Sequence, residues 1–378
     1  MQRNRRHRRS PRTRLAALTV TAVLLATGGA LEASTAQGTP IPPERRAAAA
    51  DDGARVVGRR WLDQRTVDLT IRSPAVGADV PVRVLLPASY AEAPDRERPV
   101  LYLLHGAHDD YTSWTRETDV EDFLADQEVI TVMPSAGPTG IPTDWWNSSR
   151  RTPDYETFQI DEVMGLLRDE FHVGPTRAVA GVSTGGYGAL AFAARRPGAF
   201  TAAASYSGIL DTSATGIPTV VDAIVAREGQ WPGTLWGNAV VHRANWAAHN
   251  PYRLAARLKS TRLYVAQGSG IPNDDFGNLE GAFLEGTLWG QARGFVKRLA
   301  DLDVPVQAHL YRGGSHTWSS WRREFERSWP TLAAGLGLSR NQEPVPAASA
   351  GAPQPARTIQ PSASGARTSM TSGATQYM

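Results

Sequence analysis

The chain has 378 residues, 41% apolar and 20% charged, ordinary globular usage that excludes a wholly disordered or fibrous protein. It contains no cysteine, so disulfide scaffolds, thiolate metal sites and thiol nucleophiles are excluded together. The net charge of +3 is local: residues 1–36 hold seven arginines against Glu32, and the remaining chain, at about −3, offers no basic surface for nucleic acid.

Residues 1–14 are cationic, residues 15–25 are apolar, and small residues follow as far as Ser34-Thr35-Ala36. That order predicts a secretory signal peptide over 1–36, and the apolar run is too short for a comfortable membrane span. An uncleaved N-terminal anchor is the alternative. Residues 37–55 read as a flexible Pro/Ala-rich spacer, 56–338 as the folded catalytic domain, and 341–378 as a disordered Pro/Ala/Ser-rich tail.

Inside the folded body, apolar runs predict strands at 80–86, 100–104, 129–133, 177–181, 202–206, 262–267 and 306–311. Helical patterns are expected at 120–127, 160–171, 185–195 and 280–302. Continuous apolar strands alternating with helices imply an α/β fold: a mostly parallel central sheet with helices on both faces. Ligands of such sheets bind beyond the carboxyl ends of the strands, so the loops there carry the chemistry.

One of those loops is Gly181-Val182-Ser183-Thr184-Gly185, directly after a strand and directly before a helix. Small flanking residues permit the sharp turn that lifts a serine hydroxyl above a sheet, and the helix N-terminus supplies N–H groups where an oxyanion forms. Ser183 is the expected nucleophile. Of the histidines after it, His309 lies in a strand, and His242 and His249 lie in a loop-rich insertion. His316 sits in a glycine-flanked turn beyond the last strand and is the expected base. The acid should follow strand 262–267; spacing favours Asp274, with Asp275, Glu280 and Glu285 behind it and Asp301 and Asp303 less well placed. The backbone N–H groups of Ala107, in His105-Gly106-Ala107-His108, and of Thr184 are the expected oxyanion donors.

Several stretches together carry a resemblance: Tyr102-Leu103-Leu104-His105-Gly106, Asp109-Asp110-Tyr111, Thr143-Asp144-Trp145, Gly181-Val182-Ser183, Leu235-Trp236-Gly237, Phe283-Leu284-Glu285-Gly286 and His316-Thr317-Trp318. In order and spacing they resemble the antigen 85-type mycolyltransferases and the wider esterase D-like branch of the α/β-hydrolases, over roughly residues 80–330. The resemblance implies an α/β-hydrolase fold and a serine–glutamate–histidine triad. It moves the acid to Glu285 and leaves Asp274 as runner-up. The chain departs from the family at His105-Gly106-Ala107-His108, where family members carry Asp-Gly-Leu-Arg. It also has Thr184 in place of Met after the nucleophile, and Gln267 where cysteine is common.

The expected protein is a secreted serine acyltransferase or esterase acting on ester or acyl-lipid substrates, with a sugar, a polyol or water as acceptor. His108, Trp145 and Trp318 are expected to bind substrate, with Trp146 beside them; no metal or organic cofactor is implied. A plain carboxylesterase without an acceptor site is the alternative. A non-catalytic exported binding protein is disfavoured, because serine, acid and histidine all occur in order.

Overall fold

The computed structural model describes residues 53–146, 152–271 and 278–338. The expected signal segment, the spacer up to residue 52, the tail, and the acid candidates Asp274 and Asp275 lie outside the described residues.

Nine strands form one sheet: β1 (Arg55–Trp61), β2 (Thr66–Ser73), β3 (Ala78–Leu85), β4 (Arg98–Leu104), β5 (Ile130–Pro134), β6 (Val173–Val182), β7 (Ala202–Tyr206), β8 (Arg262–Gly268) and β9 (Gln307–Tyr311), in the order β1-β2-β3-β5-β4-β6-β7-β8-β9. From β5 to β9 every neighbouring pair is parallel, while β1, β2, β3 and β5 pair antiparallel. This is the open, mostly parallel architecture that the apolar runs imply.

Side-chain alternation explains why those runs are continuous. Val100, Tyr102 and Leu104 of β4 enter one core, and Leu101 and Leu103 enter the core on the opposite face. On β8, Leu263 and Val265 enter the first core, Tyr264 and Ala266 the second. A strand covered on both faces has no polar side to show. The helices α1 (Val163–Phe171), α2 (Thr184–Arg195), α3 (Ile217–Arg227), α4 (Leu279–Asp301) and α5 (Trp318–Leu336) follow in chain order. Helices α1, α2 and α4 contribute to the first core, α5 to the second.

Two differences from the sequence expectation have local causes. Strands β1 and β2 were not expected, and β1 begins at Arg55, inside the segment read as spacer. On β2, Asp68 faces inward and bonds to Arg83, its register partner on β3, at 2.8 and 3.1 Å. Buried but charged, this pair breaks the apolar pattern that would reveal a strand. The helix expected over 120–127 stops at Phe123, because the Ala125 and Gln127 N–H groups bond three residues back, to the Asp122 and Leu124 carbonyls at 3.2 and 3.1 Å, and tighten the chain into turns.

Candidate active site

The turn from β6 into α2 holds Ser183 at φ 54°, ψ −120°, in the left-handed half of backbone space that side chains rarely adopt. The Ser183 N–H donates to the Tyr206 carbonyl at 2.9 Å, which ties the turn to β7. Gly185 permits the geometry: a Cβ there would lie 2.5 Å from the Leu104 carbonyl oxygen at the end of β4. The glycine therefore lets the start of α2 rest against the strand that leads into His105-Gly106-Ala107.

The loop after β9 brings His316 to this turn. His316 Nε2 lies 2.9 Å from Ser183 Oγ, and Nδ1 lies 3.0 Å from Glu285 Oε1. A carboxylate only accepts, so the proton sits on Nδ1 and Nε2 is free to accept from the serine hydroxyl. Trp321 packs edge-on against the imidazole at 4.9 Å, and the Trp321 indole N–H donates to Ser207 at 3.2 Å. Glu285 is fully buried on the first turns of α4. Its Oε2 accepts from the Gly268 N–H at 3.1 Å and from the Gln267 side-chain amide. The structure thus brings together Ser183, His316 and Glu285.

Among the described residues, the backbone N–H groups of Ala107 and Thr184 have no acceptor. Thr184 opens α2, where unpaired N–H groups gather and the helix dipole favours negative charge. The Gly106–Ala107 peptide is braced from behind: His105 Nδ1 donates to the Gly106 carbonyl at 2.8 Å, and His105 Nε2 accepts from the Ala136 N–H at 2.9 Å. Burial pushes the His105 pKa down, in keeping with a neutral ring that donates at one nitrogen and accepts at the other.

A cleft of about 460 Å³ lies over Ser183, walled by Ala107, His108, His316, Trp318 and Trp321. His108, at φ 61°, pairs through Nδ1 with Glu228 just beyond α3. A second cavity of about 800 Å³ shares His108 and Asp109 with the cleft and adds Ser135, Arg116, Arg227 and Glu228.

The expectation for Trp145 needs correction. Trp145 is 7% exposed, packs in the cluster of Ile141, Tyr187, Ile209 and Trp236, and is absent from the cleft lining. Its neighbour Trp146 turns outward instead and packs at a tilt against His242, ring centres 4.2 Å apart, also away from the cleft. A Trp-Trp pair in sequence does not reveal which ring the core takes. Sequence reasoning also missed Trp321, which reaches His316 from the first turn of α5 and leaves no local signal.

The family model Esterase ("Putative esterase") matches residues 73–332. The diacylglycerol acyltransferase/mycolyltransferase Ag85A of Mycobacterium tuberculosis is 29% identical over 295 residues, covering 74% of this chain and 83% of that protein. Esterase Rv1288 of the same organism is 30% identical over 271 residues, covering 69% of this chain and 58% of its own length. Among solved structures, Mycobacterium tuberculosis MPT51 (FbpC1) superposes with a TM-score of 0.60 at 23% identity, over 71% of this chain and 97% of that one. An S-formylglutathione hydrolase from Agrobacterium tumefaciens superposes with a TM-score of 0.58 at 15% identity, over 75% and 99%. The chain belongs to the esterase family and has the α/β-hydrolase fold. Its activity falls within the esterase and acyltransferase class that its relatives define.

Proposed function

We propose that the chain is an exported serine acyltransferase and esterase working through an acyl-serine intermediate. The observation that carries this reading is the hydrogen-bonded run from Ser183 in the cleft through His316 to the buried Glu285. Ser183 Oγ attacks the ester carbonyl carbon while its proton passes to His316 Nε2. The carbonyl electron pair moves onto oxygen, where the N–H groups of Ala107 and Thr184 stabilise it. Collapse expels the alcohol, which takes the proton from His316 and leaves Ser183 acylated. Water or an acceptor hydroxyl then gives its proton to His316, attacks the acyl carbon, and Ser183 recovers its proton. Glu285 holds the imidazole in the useful tautomer and stabilises its charged form.

His108 and Trp318 wall the cleft and are the substrate contacts in this reading. The larger cavity beyond His108, with its hydroxyl, carboxylate and guanidinium groups, supports an alcohol acceptor alongside water. Export rests on the N-terminal pattern, with 1–36 removed, 37–55 as spacer, 56–338 as catalytic domain and 341–378 as tail. Among the described residues, no helix is long and apolar enough to cross a membrane.

A fluorophosphonate probe should label Ser183, and Ser183→Ala should abolish both labelling and ester turnover. The loss in kcat should exceed about a thousandfold, since removing a triad nucleophile ordinarily costs more than that. Labelling or turnover that persists in the alanine variant would overturn the reading.

A further inference from the structure

We infer that Gln267 is a positioning residue that sets the carboxylate of Glu285 for His316, an inference that rests on the acyl-serine reading above. By the alternation of β8, residue 267 shares a face with Leu263 and Val265, both packed in an apolar core. A third apolar side chain would be the ordinary choice there. Instead a carboxamide stands at 1% exposure. Its Nε2 bonds to the Gly268 carbonyl at 3.0 Å, to the Glu285 carbonyl at 3.3 Å, and to Glu285 Oε2. All three partners are acceptors, so turning the amide over would set its oxygen against a carboxylate. Chemistry alone orients this side chain.

The consequence is a division of labour between the two oxygens of Glu285. Oε2 receives Gln267 and the Gly268 N–H, and Oε1 is left to His316 Nδ1 at 3.0 Å. Glutamate has three side-chain torsions, and an unanchored carboxylate would rotate and carry its oxygen away from the imidazole. Holding Oε2 removes that freedom. The arrangement has a cost: among the described residues, the Oε1 of Gln267 is buried with no partner. A leucine or methionine chosen for packing alone would avoid that cost, so the amide is retained for what it holds.

The test compares Gln267→Met and Gln267→Glu with the wild type and with Ser183→Ala, each as the full chain. Rates of the serine-bearing proteins are expressed per active site titrated with a fluorophosphonate, so unfolded protein does not enter; Ser183→Ala, which has no serine to titrate, is expressed per mole of folded protein. Methionine keeps the length and loses the donor. Its kcat should fall about tenfold to hundredfold, the range found when a side chain that orients a metal-binding histidine or carboxylate is removed, with KM unchanged. Glutamate at 267 and Glu285 would be two buried carboxylates too close to ionise together, so the pair shares one proton, and that O–H holds Oε2 as the amide does. The glutamate variant should therefore recover most of the kcat lost with methionine. An unchanged kcat in the methionine variant, a loss that falls on KM instead of kcat, or a glutamate variant no faster than the methionine one overturns the inference. Turnover surviving in Ser183→Ala overturns the acyl-serine reading instead, so the two failures are distinct.

Discussion

Gly140 stands directly behind Ala107. A Cβ at position 140 would come within 2.7 Å of the Ala107 nitrogen and would overlap the Gly106 carbonyl, and Gly140 itself sits at φ +60°. The Gly106–Ala107 peptide is therefore held between this glycine and the imidazole of His105.

Gly140→Ala should push that peptide out of place and reduce kcat without emptying the cleft. Losing one oxyanion donor costs about 10²–10³ in kcat, and a displaced donor should approach the lower figure. The measurement pairs kcat with the affinity of a boronate that mimics the tetrahedral intermediate; both should fall while KM holds. A variant with wild-type kcat and boronate affinity would sever Ala107 from the oxyanion role.

Glu285→Gln should cut kcat far more than Asp274→Asn, because the acid must both orient His316 and stabilise its charged form. Steady-state kinetics on a soluble ester decide the ranking. The reverse order would return the acid to the position that spacing favours.

Asp144 bonds to His249 at 2.8 Å and to Arg195 at 3.2 Å. Burial alone would raise its pKa, but the hydrogen bond and charge of His249 and the charge of Arg195 outweigh that and bring it to about 2, from an ordinary 3.8. A depressed carboxyl contributes stability that is present above 3.8 and is lost as pH falls towards 2, where the folded state also takes the proton. Asp144→Asn should therefore lower Tm near neutral pH, and the gap to wild type should close across that interval. A gap of equal size at both ends would contradict the account.

Hydrolysis and transfer share one acyl-enzyme and differ in what attacks it. Transfer gains when a bound hydroxyl is concentrated beside the acyl carbon and water is kept away. With the polar cavity beyond His108, short esters should be hydrolysed readily while glycerol, glucose or trehalose captures part of the acyl flux. Mass spectrometry of products at fixed ester and rising acceptor checks this. Free acid forming at full rate with no acylated acceptor would reduce the chain to a plain esterase.

How much of this was legible in sequence depends on where each residue stands. β3 to β9 announced themselves through apolar runs, and Ser183 and His316 through glycine-flanked turns at strand ends. Glu285 gave no such sign, because a glutamate on a helix reaches its histidine from a distance that spacing does not suggest, and family resemblance supplied it. β2 hid behind the inward ion pair of Asp68 and Arg83. Gly140 and Gln267 acquire meaning only when the backbone and the carboxylate they touch are in place.

The margin of the sheet sets the order in which the molecule fails. β9 is the last strand, paired with β8 alone over five residues, and the loop beyond it carries His316. Ser183 follows β6, deep within the sheet, so the two ends of one hydrogen bond belong to regions of unequal tenacity. Marginal strands open at lower free energy than central ones. Gentle denaturation should disarm the enzyme while its core still holds, and activity should vanish at lower urea than the far-ultraviolet dichroism of the sheet.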